Sequence, residues 1–413
     1  MLANQNPRYL VKRGIEYPFL EMAAVAENFG GILKWDWRRL ESSGLARFKP
    51  NDTLFAKITP CPENGKVAFV SGMPGETGLG STEFIVLSPR DGTDPRFLYH
   101  LACAHDVRGR AAARMEGSTG RQRVPEDVFD RRLLVPRPAP HEQTAIAHVL
   151  DAVDAAIDRA RETSQSALKL RAALLADLLS VGVGDDGKLR ALDSRQSGFV
   201  RTALGFLPEA WRVSDVGTEF DIQSGVTLNE AQRSDQRLWR YLRVANVQRD
   251  ALLLNDVQML RARDPEISIR LLQAGDLLVV EGHADRRQIG RCALATDDAV
   301  GMTFQNHLFR LRSRNGMLPE FGCLWLNSRY AQKYWNAMCA TSSGLNTINQ
   351  RMLRRLRLGV PSCREQARIV AISEASKSHI SELGKKLAAL EGLKRSLMHD
   401  LLTGTVRVNS APL

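Results

Sequence analysis

Two stretches of the chain carry apolar residues on a three-and-four spacing over many turns. Ile146, Leu150, Val153, Ile157, Leu168, Leu174 and Leu178 form one series, and Ile369, Ile372, Ile380, Leu383, Leu387, Leu390, Leu397 and Leu401 form the other. That period keeps one face of a helix apolar, as in a coiled coil, and predicts long helices over 139–181 and 362–404. Ser362-x-x-Glu365 has the form of a capping box, and Gly404 follows the last apolar seam residue, where helix C-termini favour glycine. The earlier helix has Ala139 at the cap, but keeps Pro140 in its first turn and Glu142 near its positive end. At about 1.5 Å rise per residue each helix would reach about 60 Å, too long to stand without a partner along its length.

Ahead of each helical stretch the pattern changes to short β-rich runs between Gly and Pro turns. Runs at 53–58, 66–70 and 83–87 predict strands, and 277–280, 291–295 and 307–311 repeat them. In both halves a Pro-x-Phe segment, Pro95-Arg96-Phe97 and Pro319-Glu320-Phe321, opens a further predicted helix. The halves keep one register. Asp52-Thr53-Leu54-Phe55 matches Asp276-Leu277-Leu278-Val279 at an offset of 224, and Gly65-Lys66-Val67-Ala68 matches Gly290-Arg291-Cys292-Ala293 at 225. Gly120 and Gly344, Val135-Pro136 and Val360-Pro361, and Glu142-Gln143 and Glu365-Gln366 continue the series, which chance does not easily maintain.

The expected fold class is therefore α+β: a tandem pseudo-twofold repeat of two α+β domains, each followed by a long helix, with the two helices packing as an antiparallel coiled coil. The expected boundaries are a first domain at 1–138, a helix at 139–181, a linker at 182–206, a second domain at 207–361, a helix at 362–404 and a tail at 405–413. Gly182-Val183-Gly184-Asp185-Asp186-Gly187 is the break that starts the linker. The second half spans 225–276 where the first spans only 31–52, so the first is expected to lack any counterpart of Tyr241-Leu242-Arg243-Val244-Ala245-Asn246-Val247.

Composition adds a partner to this picture. Apolar residues make up 44% and charged residues 25%, near globular averages, with no run long enough to span a membrane and no apolar core behind Lys12 and Arg13 to make a secretory signal. A cytoplasmic location is expected, and the six cysteines, lacking paired spacing, are expected to be reduced packing residues. The formal net charge of +11 and a pI near 9.6 suit a phosphate-binding surface.

Catalytic patterns fail on spacing. His141-Glu142 with His148 is not HExxH, because position 145 is alanine. Gly72, Gly75, Gly78 and Gly80 are followed by no Gly-Lys-Ser/Thr, and no Asn/Asp-Pro-Pro-Tyr segment of an amino-methyltransferase is present. No catalytic residue and no metal ligand is predicted. Candidate DNA contacts are Ser118, Thr119, Arg121, Gln122 and Arg123 in a Ser/Gly loop, since Arg and Gln read guanine and adenine edges. Ser342, Ser343, Asn346 and Thr347 occupy the equivalent loop, which also reads as a tight polar turn. His283, Arg286, Arg287, Gln288 and Arg291 form a second polar cluster, equally readable as a solvated hairpin. Lys57, Lys66, Arg243 and Asn246 are further candidates, and the run Arg351, Arg354, Arg355 and Arg357 suits DNA or an acidic partner alike.

Several segments together resemble the specificity subunits of Type I restriction-modification systems, over nearly the whole chain. They are the Val-Pro then Glu-Gln start of each long helix, the endings Leu174-Leu175-Ala176-Asp177-Leu178-Leu179 and Leu397-Met398-His399-Asp400-Leu401-Leu402-Thr403-Gly404, and Leu207-Pro208-Glu209-Ala210-Trp211. Ser224-Gly225-Val226-Thr227, Tyr241 to Val247, Gly275-Asp276-Leu277-Leu278 and Gly117 to Pro125 are similar to that family's target-recognition domains. The resemblance implies a non-catalytic subunit whose two target-recognition domains each read half of a bipartite, asymmetric DNA site, the helices setting the gap. Glu142, Gln143, Leu174, Leu178, Glu365, Gln366, Leu397 and Leu401 would belong to the spacer helices and their partner-binding surface.

It further implies two modification subunits that methylate adenine, and restriction subunits with motor and nuclease activity. S-adenosylmethionine, ATP and Mg would sit on those partners, with no cofactor on this chain and no membrane contact. The alternatives are a specificity module of another DNA-modification or phage-defence complex, and a coiled-coil interaction protein whose basic surface is incidental.

Overall fold

The computed structural model describes residues 1–41, 44–118, 121–129, 133–191, 197–227, 237–262, 267–342 and 345–408, the side chains at 340–342 and 345 apart. The chain has mixed α and β structure and divides into two compact units, Met1–Thr163 with Leu383–Leu413, and Ser164–Glu382.

In the first unit the central sheet is antiparallel, in the order Ala3–Gln5, Phe84–Pro89, Thr53–Ala56, Val67–Phe69. All four residues of Thr53–Ala56 are buried, because both faces of the sheet are covered. Phe55, Val67, Ile85 and Leu87 face a core completed by Phe97 and Leu101 of the helix Pro95–Cys103. Leu54, Ala56, Ala68 and Val86 face a second core with Leu20 and Phe48. The helix starts where the sequence predicts, with Pro95 in its first turn and the Asp94 carboxylate accepting from the N–H groups of Arg96 and Phe97 at 2.9 and 3.0 Å.

A second sheet in this unit runs Asp36–Arg39, Glu16–Leu20, Gly78–Gly80, Ala46–Phe48, with Phe19 opposite Leu79 in a parallel pair. Pro140–Leu178 is one long helix whose first half lies in this unit. Its Ile146, Ala147 and Leu150 pack with Met398, Leu401 and Leu402, from the end of the helix Cys363–Thr403.

In the second unit the central sheet runs Phe220–Ser224, Leu308–Ser313, Leu277–Val280, Cys292–Leu294, again antiparallel. Leu277, Val279, Cys292 and Leu311 meet Phe321 and Trp325 of the helix Pro319–Leu326, and Trp211 sets its ring against Trp325 at 6.5 Å between centroids. The Leu-Pro-Glu-Ala-Trp segment thus supplies core residues, Leu207 and Trp211 both being buried. Leu178, Leu179 and Ile369 join the same core.

Two sequence expectations are corrected. The first unit does contain a counterpart of Tyr241 to Val247. Phe19-Leu20 lie opposite Leu79-Gly80 and lead into a 3-10 turn at Met22–Ala24, as Tyr241-Leu242 lie opposite Thr303-Phe304 and lead into the turn Val244–Asn246. Leu20, Ala23 and Val25 match Leu242, Ala245 and Val247 at an offset of 222, and long-range strand pairing, which sequence does not display, fixes the match. Leu168, placed in the apolar seam by its spacing, is 52% exposed. Within the segment expected as a linker, Phe199–Thr202 and Gly205–Pro208 pair as a hairpin.

Candidate nucleic-acid interface

In the first unit the loop carrying Arg121 to Arg123 closes against the end of a core strand. Glu116 and Arg123 exchange backbone hydrogen bonds at 2.9 Å, the Thr59 N–H donates to the Gln122 carbonyl at 3.0 Å, and the Val124 N–H donates to Lys57 at 2.8 Å. A tight turn, in which the Arg121 N–H donates to the Ser118 carbonyl at 2.9 Å, leaves Ser118, Arg121, Gln122 and Arg123 exposed. Thr119 lies outside the described residues.

These side chains are not equally available. Arg123 grips Glu83 with two nitrogens at 2.9 and 2.8 Å, and that hydrogen bonding holds the Glu83 carboxyl below its usual range. Lys57 donates to Glu126 at 2.8 Å, and Lys66 reaches inward to the Met22 carbonyl at 3.2 Å. Arg121 and Gln122 have no side-chain partner among the described residues. Sequence reading missed Glu83, whose distance of forty residues from Arg123 carries no local signal.

The second unit builds the same junction with different residues. Gly282–His283 pairs with Asn346 and Thr347, Ala340–Ser342 pairs with Leu345–Thr347, and the Ile348 N–H donates to the Glu281 carbonyl at 2.9 Å. The His283 Nδ1 accepts from the Asp285 N–H at 2.9 Å, and Asn346 donates to the Ala284 carbonyl at 3.0 Å. Ser343 lies outside the described residues, and of Ser342 only the backbone is described. Arg286 and Arg287 are exposed, Arg287 beside Asp285 at 3.0 Å. Glu281 and His307, also unpredicted, meet at 3.1 Å beside this strand.

Arg291 and Asn246 turn inward. Arg291 donates to the carbonyls of Val247 and Val244 at 2.6 and 2.8 Å, and its Nη1 reaches Gln288 Oε1 at 3.4 Å. The Asn246 amide accepts from the Arg243 N–H at 2.8 Å and donates to the carbonyls of Leu253 and Asp256 at 2.8 and 2.9 Å, while Arg243 pairs with Asp256 at 2.7 Å. A buried polar group must be hydrogen-bonded, and both side chains meet that need by tying the turn at 244–246 to its surroundings. They support the surface from beneath. In the run Arg351 to Arg357, Arg354 donates weakly to the Ile222 carbonyl at 3.4 Å and Arg357 stands 4.0 Å from Asp215.

The start of each long helix is pinned to its own unit. Gln143 accepts from the Asp94 N–H at 3.0 Å and donates to the Pro138 carbonyl at 2.9 Å; Gln366 accepts from the Leu318 N–H at 2.8 Å and donates to the Pro361 carbonyl at 3.0 Å. Buried Glu142 holds Arg407 at 2.6 and 2.7 Å, and buried Glu365 holds Arg190 together with the Val183 N–H at 3.0 Å. Gly182, at φ +68°, cannot be replaced without cost, since a Cβ there would strike the Glu365 carboxylate. Leu178 and Leu401 are buried, and Leu174 and Leu397 are partly buried.

Among the described residues, one group has metal-ligand chemistry. Ligand atoms of His100, Asp151 and Asp154 lie within 4.8 Å of one another. Both carboxylates already face cations, Arg96 donating to Asp151 at 2.9 Å and Lys394 standing 2.5 Å from Asp154. Burial pushes the His100 pKa down despite its 2.7 Å hydrogen bond to Asp151. Burial would raise Asp151, but hydrogen bonds from His100 and Arg96 outweigh it and pull it below the usual range. One arrangement fits both shifts: neutral His100 donates from Nε2 to ionised Asp151, and Arg96 balances the charge. The group is an ion-paired junction.

No family model matches the chain. It is similar to the Type I restriction enzyme EcoAI specificity subunit of Escherichia coli, 29% identical over 168 residues, which is 40% of this chain and 28% of that protein. The matched part is thus less than a third of that relative. Against the Type I restriction enzyme StySPI specificity subunit of Salmonella potsdam it is 24% identical over 379 residues, 87% of this chain and 77% of that one. These relatives are Type I specificity subunits. Among solved structures, a chain from work on complex assembly and conformational transition of the type I R-M system superposes with a TM-score of 0.61 at 18% identity, covering 95% of this chain and 93% of that one. The HsdS subunit from Thermoanaerobacter tengcongensis gives 0.51 at 18% identity, covering 95% and 92%. The fold is that of these specificity subunits.

Proposed function

We propose that this chain is the DNA sequence-specificity subunit of a Type I restriction-modification complex and performs no catalysis itself. Its two α+β domains form a tandem pseudo-twofold repeat of target-recognition domains, and its long helices pack as an antiparallel coiled coil that spaces them. The observation that carries this reading is a strand junction built alike in both units, Glu116 and Arg123 beside 57–59 and Ala340–Ser342 with Leu345–Thr347 beside Gly282–His283. It gives one backbone frame to Arg121, Gln122 and Arg123 in the first and to Asn346 and Thr347 in the second. Conserved geometry with changed side chains suits two different half-sites.

In this reading Arg121 and Gln122 contact base edges of one half-site, and Arg123, positioned by Glu83, contacts a base or phosphate. Asn346, Thr347, Arg286 and Arg287 serve the other half-site. Two modification subunits with S-adenosylmethionine, and restriction subunits with ATP and Mg, dock on the helices and act on the DNA so held.

The test is co-expression with the neighbouring modification subunit in a methylation-free host, followed by single-molecule mapping of methylated adenine. A single split motif that disappears without this chain is the expected result. Complex formation without any motif would overturn the reading. Within that assay, Arg121→Ala is expected to weaken one half-site by about 1–3 kcal/mol, leaving the other unchanged.

A further inference from the structure

Both units present an unexplained outward face on their second sheet. Asp36–Arg39 lies antiparallel to Glu16–Leu20 with Trp37 opposite Pro18, and Gln258–Arg261 lies antiparallel to Leu238–Leu242 with Met259 opposite Arg240. Side chains alternate along a strand, so Trp37 and Arg39 share one face, and Met259 and Arg261 share the matching face in the other unit. The opposite faces are occupied: Arg38 lies 3.6 Å over the Phe19 ring, and Leu260 is buried. Trp37 is 55% exposed and Met259 52% exposed. Arg39 and Arg261 are exposed and carry no ion pair among the described residues. A large, half-exposed apolar side chain next to an arginine without an ion pair stands at the same register in both units.

The pattern is apolar-x-Arg on the outer strand of each sheet. Arg240, opposite Met259, adds a second cation in the second unit, while Glu16 stands opposite Arg39 without pairing with it in the first, and the free arginines favour a phosphate-bearing occupant. A ribbon can enter a DNA groove, where an apolar side chain contacts a thymine methyl or wedges at a base step while a neighbouring arginine takes a phosphate or a base edge. Location agrees. Glu16–Leu20 pairs with Gly78–Gly80, and Glu83, which holds Arg123, follows shortly after. Trp37 is level with Gly78, so two strand spacings and five residues place it at most about 27 Å from Glu83, about eight base-pair steps along a duplex.

We propose that Trp37 with Arg39, and Met259 with Arg261, are a second pair of DNA-reading elements, one for each half-site. Double-stranded DNA, not a protein partner, covers these faces. The inference rests on the specificity-subunit reading above.

The experiment compares wild-type chain, Trp37→Ala and Met259→Ala, each co-expressed with the modification subunit, by methylated-adenine mapping and by binding of the purified complexes to a duplex carrying the mapped motif. Each variant is expected to bind roughly five- to hundredfold more weakly and to relax base preference in one half-site only, the two variants affecting opposite halves. Trp37→Met, the side chain that the other unit carries, keeps a folded ribbon and is expected to change the preferred base rather than abolish binding. Unchanged motif and affinity in both alanine variants would overturn the inference while leaving the specificity-subunit reading intact. So would loss of the modification subunit from the purified complex with DNA preference unchanged, because that would assign the face to a protein. A wild-type chain that yields no motif at all defeats the underlying reading, and this inference falls with it.

Discussion

The two units hold their helix ends with different charges at matching places. In the second, Asp250 draws in two cations, Lys377 at 2.9 Å and Arg171 at 3.7 Å. In the first, the carboxylate has moved onto the helix: Asp154 pairs directly with Lys394, and the domain supplies Asn28, in the same left-handed conformation as Asp250. Each unit neutralises its own junction by a separate solution, so helix ends of one unit would meet unbalanced charge in the other. The two units thus share their strand pairing while their charges differ.

The largest expected break in this comparison lies at the glutamates. Glu365→Ala strands the Val183 N–H and a part-buried Arg190, and should cost about 3 kcal/mol, whereas Glu142→Ala frees the mostly exposed Arg407 and should cost clearly less. Urea unfolding of both variants measures the difference, and equal losses would show that the two junctions are energetically alike.

A smaller effect sharpens the charge argument. Asp250→Asn leaves Arg171 and Lys377 facing each other and should destabilise by about 1–2 kcal/mol. Adding Lys377→Asp recreates the direct pairing of the first unit and should recover most of that loss; failure to recover would mean that Asp250 acts through its loop and not through its charge.

The smallest effect depends on pH. His100 is buried with a lowered pKa in the first unit, while Leu324 follows the same Pro-x-Phe start in the second. As pH falls through and below the ordinary histidine value of 6.5, the unfolded chain takes up a proton that the folded chain resists, so stability present above that range is progressively lost. His100→Leu should reduce the gap in urea midpoint between pH 7.5 and 5.5. An unchanged gap would trace the pH dependence to other groups.

The long helices were legible in the sequence because their period is local, and so were the strands whose buried runs are short and apolar. The Glu-Gln pairs stood out as markers, but not as the hydrogen-bonded pins they prove to be, since their partners lie about fifty residues away or past the end of the other long helix. Arg291 and Asn246 looked like surface contacts because residue type alone does not reveal direction. The match between Phe19-Leu20 and Tyr241-Leu242 was hidden for a related reason: three scattered identities, Leu20, Ala23 and Val25 with Leu242, Ala245 and Val247, carry little signal until strand pairing sets the register.

The first unit draws on two distant parts of the chain, Met1–Thr163 and Leu383–Leu413, with all of the second unit between them. On a ribosome the amino-terminal domain must therefore wait for the residues that cover Ile146 and Leu150. At about 5–20 residues per second the delay is about ten to forty seconds, during which the second unit can mature first. The order of synthesis and the order of completion are then reversed, and the domain made first is the one most exposed to chaperones and proteases.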